Sequence, residues 1–409
     1  MRFLWELRKR KAAKVCVDLR NHPMRRLLFL LLWLPTASMA QAISGFNLSY
    51  LYNPDSEISV QTKAVRTGSI LSVYYSIEVQ RKEFKIEDYL ITWERRSTVN
   101  ARNGEPFRGI DSVLSQTEKS RVAVIRELTD DKVWFAVVKI QNRQTQAAFD
   151  FFVPFESSWP VTHYLIQSGQ PVFRDFIQTG KSYTVGNFNA SKPIYGFYYK
   201  RSFSAAPPPF ARSAPEEKFL KADSTFILRQ SDFSPRSEGL YLFQEDTLSA
   251  TGFAVFAGSN PYPKYNTITT LSGPLIFLTT AEEQRDLKNV NNEKAKFDKV
   301  ILGITKDAER AKVFMRNYYQ RIEQANRLFT GYKEGWKSDM GMIYTIFGSP
   351  SEVSRTTTNE IWFYEGIKTK FIFYRSGSVF APYNWFLQRD NAFSQVWFSS
   401  IDLWRKGRF

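Results

Sequence analysis

Between residues 43 and 158 the apolar positions fall in short runs rather than at helical spacing. SILSVYYSIEV (Ser69–Val79), DYLITWE, RVAVIREL, KVWFAVVKI and QAAFDFFV are rich in β-branched and aromatic residues. Polar pieces such as Arg102-Asn103-Gly104-Glu105 and Thr129-Asp130-Asp131 separate them. Strands at that spacing with no helix between them predict a sandwich. Alternation inside each run is imperfect, so the pattern does not say which face points inward. A second set occupies residues 159–279: KSYTVGNF, PIYGFYYKR, STFILRQ, GLYLFQE, TGFAVFAG and PLIFLTT. It encloses SAAPPPFARSAPEE, residues 204–217, whose three successive prolines predict a stiff, extended loop between strands. A docking peptide for a partner's groove is the sharper reading of that loop, and only composition speaks for it.

At Ala281 the texture changes to Lys, Glu, Gln and Ala. Ala311, Phe314, Tyr318, Ile322, Ala325 and Phe329 recur at steps of three or four and predict one long amphipathic helix. Thr305 is its expected N-cap, Asp307 and Glu309 suit the positive end of its dipole, and Gly331 suits a left-handed closing residue. GMIYTIFG, EIWFYEG and KFIFYRSG then read as strands, and VWFSSIDLWRKGRF closes the chain as a short helix or strand. The expected fold is multidomain, mainly β plus α+β. Two β-sandwich-like domains, 41–158 and 159–279, precede an α+β unit over 280–409 in which the long helix packs on a small antiparallel sheet.

The first forty residues change the picture of where the protein works. From Met24 the chain reads MRRLLFLLLWLPTASMAQA: two arginines, the apolar run Leu27–Leu34, then small residues. That is the order of a secretory signal peptide, with Ser38-Met39-Ala40 fitting the cleavage pattern. Eight apolar residues make about 12 Å of helix, far short of a bilayer core. Residues 1–40 are therefore an expected leader, and no later stretch is long and apolar enough to span as a helix. Residues 1–23 are either an extended basic region of that leader or the product of an upstream start codon, Met24 being the alternative start. Cys16, the only cysteine, precedes the predicted cut. Disulfides, thiolate metal sites and a cysteine nucleophile are thereby excluded from the remaining chain.

Removing the leader also moderates the charge. The whole chain carries +16; residues 1–40 hold nine basic and two acidic residues, so the remaining 409 − 40 = 369 residues carry 16 − 7 = +9. Of that surplus +6 lies beyond residue 281, where 21 basic residues face 15 acidic ones. The charges are scattered rather than blocked, which suits a solvated surface or attraction to acidic glycans and anionic lipids, not nucleic acid.

One stretch concentrates unusual residues. EGWKSDMGMIYTIFGSP, residues 334–350, places an acid, a tryptophan and several glycines where the helix ends. With the preceding RIEQANRLFTGYKE, the following EIWFYEG and the tail DLWRKGRF, it resembles the GWxTD domain, a Gly-Trp-x-Thr-Asp signature of exported proteins of Gram-negative bacteria. Gly335, Trp336 and Asp339 match, Ser338 stands where threonine is usual and keeps the hydroxyl, and Gly341, Gly348 and Pro350 fit the surrounding pattern. The resemblance covers about residues 281–409. It implies an exported envelope protein, in the periplasm or at the outer-membrane periphery, and brings no activity, cofactor or catalytic residue with it.

Each signature residue has a structural task available. Gly335 and Gly341 permit positive φ or close backbone approach. Trp336 can pin the turn, Ser338 and Asp339 can bond nearby backbone N–H groups, and Ser351 can cap a helical turn over Glu352-Val353. Catalytic readings are thinned by subtraction. Past the leader the only histidine is His163, in the strand-like WPVTHYLIQSG, and no G-x-S-x-G or nucleotide-binding loop occurs. What remains is a carboxylate pair, Glu334 and Asp339 flanking Trp336, such as glycoside cleavage uses. The leading expectation is a non-enzymatic envelope protein that binds or scaffolds through a protein or glycan, with no cofactor and no metal. The alternatives are a glycan-acting enzyme centred on Asp339 and Glu334, and a peripheral subunit of an outer-membrane assembly contacting it through the basic C-terminal third and the tail from Trp404 to Phe409.

Overall fold

Leu71, Val73, Tyr75, Ile77 and Val79 are buried at every second position of one strand, the period that lays one face of a pleated strand on a core. The computed structural model describes residues 47–408 except 100, 102, 129–133, 156–160, 201–202, 213–219 and 249–250. The expected leader, the turn at 129–131, residue 102, the end of the Pro-rich loop and Phe409 thus lie outside the described residues. The strand Ile70–Val79 is second in an antiparallel sheet ordered Ile58–Thr67, Ile70–Val79, Ser120–Leu128, Ile110–Gln116. A facing sheet, ordered Glu105–Pro106, Tyr89–Arg96, Trp134–Asn142, Ala148–Phe155, adds Trp93, Val138, Ile140 and Phe151 to the same core. The imperfect alternation has a physical cause. Tyr74 and Val124 on the outer face are buried too, because Tyr164 of the next unit packs there, its hydroxyl 2.8 Å from that of Tyr74.

The second β unit pairs a sheet of short strands with a five-stranded one. The first is ordered Gln170–Pro171, Tyr164–Gln167, Tyr183–Gly186, Asp232–Phe233; the second Phe176–Gln178, Phe253–Gly258, Gly239–Gln244, Ile194–Tyr199, Ser224–Leu228. Phe176–Gln178 runs parallel to Phe253–Gly258, and the other pairings are antiparallel. Leu165 and Val185 from one sheet meet Tyr241, Phe243 and Val255 from the other. PLIFLTT is not a strand: Gly273–Phe277 is a 3₁₀ turn that buries Leu275 and Phe277.

Six α-helices follow: α1 Ile268–Ser272, α2 Ala281–Lys288, α3 Lys294–Thr305, α4 Ala308–Phe329, α5 Asp339–Phe347 and α6 Phe393–Arg405. The long helix is α4, and Phe314, Tyr318, Ile322 and Ala325 are its buried stripe, with Ala311 and Phe329 at its ends partly buried. Its N-cap is Asp307, which accepts from Arg310 N at 2.8 Å. Thr305 instead ends α3, its hydroxyl donating back to Ile301 O, and Lys306 makes the left-handed break between the helices. At the other end Thr330 leaves the helix with extended backbone, so Gly331 closes nothing.

GMIYTIFG forms α5 rather than a strand. A short run apolar on every side does not distinguish a buried helix from a buried strand, and Met340 to Ile346 are all buried. The sheet beside it is a meander of Glu352–Arg355, Asn359–Tyr364, Thr369–Ser378 and Ala381–Leu387. Glu352 and Val353, expected in a helical turn, begin its first strand. Helix α6 closes the core with Trp397 and Trp404. The fold class is therefore as expected, mainly β with a C-terminal α+β region.

Candidate functional site

The signature is built around two close approaches. Gly335 opens a 3₁₀ turn, Gly335–Lys337, that lies against the last turns of α4. A Cβ on Gly335 would sit 2.1 Å from Ala325 O and 2.7 Å from Asn326 Cα. One on Gly341 would sit 1.8 Å from Gly335 O. Neither glycine is needed for positive φ; each is needed because backbone passes where a side chain would be. Gly348 differs, with φ of +84° at the end of α5 and the Arg321 guanidinium filling the space beside it. Pro350 is buried just before the first strand of the meander.

Trp336 is 4% exposed. Its ring meets Phe277 edge-on at 5.7 Å and donates through Nε1 to Tyr265 Oη at 3.0 Å. Its backbone N donates to Asn326 Oδ1 at 3.2 Å, and Asn326 Nδ2 donates to Pro263 O at 3.0 Å. Thr330 Oγ1 accepts from Gly335 N at 3.1 Å and donates to Asn326 O at 2.5 Å. Asn326 and Thr330 escaped sequence reasoning, although a buried asparagine on the apolar stripe of α4 was the available sign.

Ser338 is the N-cap of α5: its Oγ accepts from Gly341 N at 2.9 Å and donates to Gly335 O at 2.7 Å. Asp339 spans to the meander, where Oδ2 accepts from Leu387 N at 2.9 Å and Oδ1 pairs with the Arg389 guanidinium. Arg389 in turn donates to Pro207 O at 2.6 Å and Pro208 O at 2.8 Å. Ala206 N donates to Lys337 O at 2.8 Å. The described part of the Pro-rich loop thus straps across the signature of its own chain. Glu334 pairs with Lys337 at 2.8 Å, whose ammonium also lies over the Trp336 ring. Glu334 and Asp339 are therefore held by different cations, with the buried Trp336 beside them, and neither carboxylate lines a cleft.

These observations fall where a sequence family can be assigned. Residues 239–406 match the model of the GWxTD domain family. The chain carries a GWxTD domain. Its GWxTD match begins at Gly239, the start of a strand in the second β unit, well ahead of the residues that carry the motif. The GWxTD region therefore includes two strands of the second β unit as well as the helices and the meander. No curated protein matches this GWxTD chain.

The GWxTD signature also borders open space. A cleft of about 380 Å³ is lined by Ser338 and Met340, by Asn384 and Trp385, and by Lys63 of the first sandwich. A second cavity of about 540 Å³ lies between the first sandwich and the end of α4, and Phe173, Arg174 and Asp175 line both. His163 lines the first cleft but is 3% exposed, with Nε2 3.0 Å from Glu245 Oε1 and Nδ1 3.2 Å from Gly186 O. Among the described residues no cluster of three or more His, Cys, Asp or Glu is placed to hold a metal ion.

Proposed function

We propose that this GWxTD protein is an exported binding or scaffolding component of a Gram-negative envelope, and that a protein or glycan partner is held in the cleft beside the signature. One observation carries this reading. Glu334, Ser338 and Asp339 each have partners inside the chain, while the same segment helps line a cleft of the size that ligands occupy. The signature is then a clasp that sets the position of a wall, and the cleft faces do the recognising. Trp385 offers a partly exposed ring for a sugar or an apolar side chain, and Asn384 offers an amide for directed hydrogen bonds.

The glycan-acting alternative asks for both acids beside an accessible tryptophan; the burial of Trp336 and the Asp339–Arg389 pair speak against it. A docking role for the tail is disfavoured in a similar way. Trp404 is 2% exposed with Nε1 donating to Ile346 O at 2.9 Å, and Arg405 is bound to Glu283. The test is a binding screen of purified protein against envelope glycans and peptides, repeated with Trp385→Ala and Asn384→Ala, with product analysis by mass spectrometry. Binding lost in the cleft variants, with ligands returned intact, is the expected result. Turnover abolished by Glu334→Gln in a folded protein would overturn the proposal. The export component is tested separately by N-terminal sequencing of the envelope-derived protein, where a mature start at Gln41 is expected.

A further inference from the structure

We infer that the wall shared by the two cavities is an oxyanion site, with Arg174 as the ionic anchor for a carboxylate or phosphate on the ligand. This deepens the proposed binding role, on which it rests, by naming the charge of what is bound.

Arg174 stands between the strands Gln170–Pro171 and Phe176–Gln178 and lines both cavities. Its guanidinium lies 5.5 Å from the centre of the Phe176 ring, and among the described residues it makes no hydrogen bond or ion pair. The nearby acids do not supply one. Asp175 is taken by Lys63 at 2.7 Å, and Glu323 by Arg327 at 2.6 Å. Glu78 lines the second cavity but is exposed and forms no ion pair with Arg174. The C-terminus of α4 faces the same space, and its partial charge of about −0.5 offsets at most half of the guanidinium charge.

Half-buried and close to a second arginine, Arg174 is held below the ordinary arginine pKa, by desolvation first and by the charge of Arg327 second. An anion arriving in the cavity relieves both penalties. The donors around it suit an oxyanion. Gln324 lines the cavity with only its Oε1 engaged, by Tyr344 Oη at 3.4 Å, which leaves its amide N–H groups for a ligand. Ser56 lines the same cavity, and its Oγ, buried within the wall, has no hydrogen-bond partner among the described residues. A planar guanidinium meets a carboxylate or phosphate through two parallel hydrogen bonds, which an ammonium does not reproduce.

The test uses three sugars of one shape: glucose, glucuronate and glucose 6-phosphate. Binding is followed calorimetrically with the full protein and with Arg174→Gln, Arg174→Lys and Trp385→Ala. The charged sugars are expected to bind more tightly than glucose, and to weaken as salt is raised. Arg174→Gln is expected to lose roughly ten- to a hundredfold in affinity for them, with Arg174→Lys recovering part of the loss. Preference for glucuronate identifies a carboxylate ligand, and preference for the phosphate ester a phosphorylated one. Equal binding of all three sugars, or an Arg174→Gln protein that binds the charged ones unchanged, overturns the inference. If glucose binding still falls in Trp385→Ala, only the anion site fails and the cleft stands. If no sugar binds the wild type, the anion site fails; the cleft itself then rests on the glycan and peptide screen.

Discussion

Gly341→Ala gives a prediction whose sign, not only its size, is set by the geometry. Gly341 is the third residue of α5, and alanine is the better helix former by up to about 1 kcal/mol. Helix propensity alone therefore predicts that the substitution stabilises. The structure predicts the reverse. The new methyl would lie 1.8 Å from Gly335 O and 3.0 Å from Ser338 Oγ, whereas carbon–oxygen contacts settle at about 3.3–3.6 Å. The 3₁₀ turn must retreat by roughly 1.5 Å. Gly335 blocks that retreat, because it is itself packed against the backbone of Ala325 and Asn326. Overpacking costs about 1–3 kcal/mol, and disturbing the Ser338 cap adds about 1 kcal/mol. Against the propensity gain, the net expectation is a loss of about 2 kcal/mol, or about 4–8 °C in melting temperature for a unit of this kind. Scanning calorimetry of the whole protein measures it. Gly303→Ala is the control: Gly303 lies in α3 with nothing within 4 Å of its Cβ position, so it should gain about 0.4–1 kcal/mol. If Gly341→Ala melts at or above the wild-type temperature, the close-approach account of the signature is wrong.

Three further outcomes are expected. Ser338→Ala should cost about 1 kcal/mol while Ser338→Thr should stay within about 0.5 kcal/mol, because only the first removes the cap oxygen; denaturant midpoints decide it. Asp339→Asn should cost about 1.5–3 kcal/mol by leaving the Arg389 guanidinium without its counter-charge, and limited proteolysis should cut the strap around residues 206–210 faster. The Arg405 guanidinium, bonded to Glu283, holds that carboxyl below its ordinary value, with burial opposing. A depressed carboxylate contributes stability that is complete above the unfolded pKa of about 4.3 and is lost as pH falls through the folded value. Protection factors for the α6 amides, measured against their intrinsic exchange rates, should therefore fall with acid below about pH 4, and Glu283→Gln should remove that fall.

The sequence made different parts of this structure legible for different reasons. The β texture and the α4 stripe were readable because each follows a period that burial enforces. The strand Ile58–Thr67 was missed because its sequence, ISVQTKAVRT, is mostly polar and it is largely half-buried on both faces. Helix α5 was misread because full burial erases amphipathicity, and the deciding signal was local, in Ser338 as a cap. The positions of the signature glycines were visible, but their reason was not. The Cβ of Gly335 meets Ala325 and that of Gly341 meets Gly335, and no spacing rule announces which backbone segments cross. Arg174 was equally hidden. It is one arginine in PVFRDFI, and its isolation depends on Lys63 taking Asp175.

The segment at residues 47–52 shows why the GWxTD region is continuous with the rest of the fold. Leu48 N donates to Val353 O at 2.9 Å, and Val353 N donates to Asn47 Oδ1 at 3.0 Å, so this segment extends the meander at its first strand. Tyr52 goes deeper. Its hydroxyl donates to Glu360 Oε1 at 2.5 Å and accepts from Arg355 Nη2 at 3.0 Å. Trp362 Nε1 donates to the same Glu360 oxygen at 2.7 Å. Glu360 is fully buried, and a carboxylate in that position is tolerable only when paired and hydrogen-bonded on all sides. One of its partners thus comes from a residue some 300 positions earlier. Tyr52 O also accepts from Ser349 Oγ at 2.9 Å, directly after Gly348. The first sandwich is therefore tied to the end of α5 as well as to the sheet. The strap over Arg389 ties the second β unit to the start of α5. Both ends of the signature helix are fixed by chain from outside its own α+β layer, and the clefts lie between those ties.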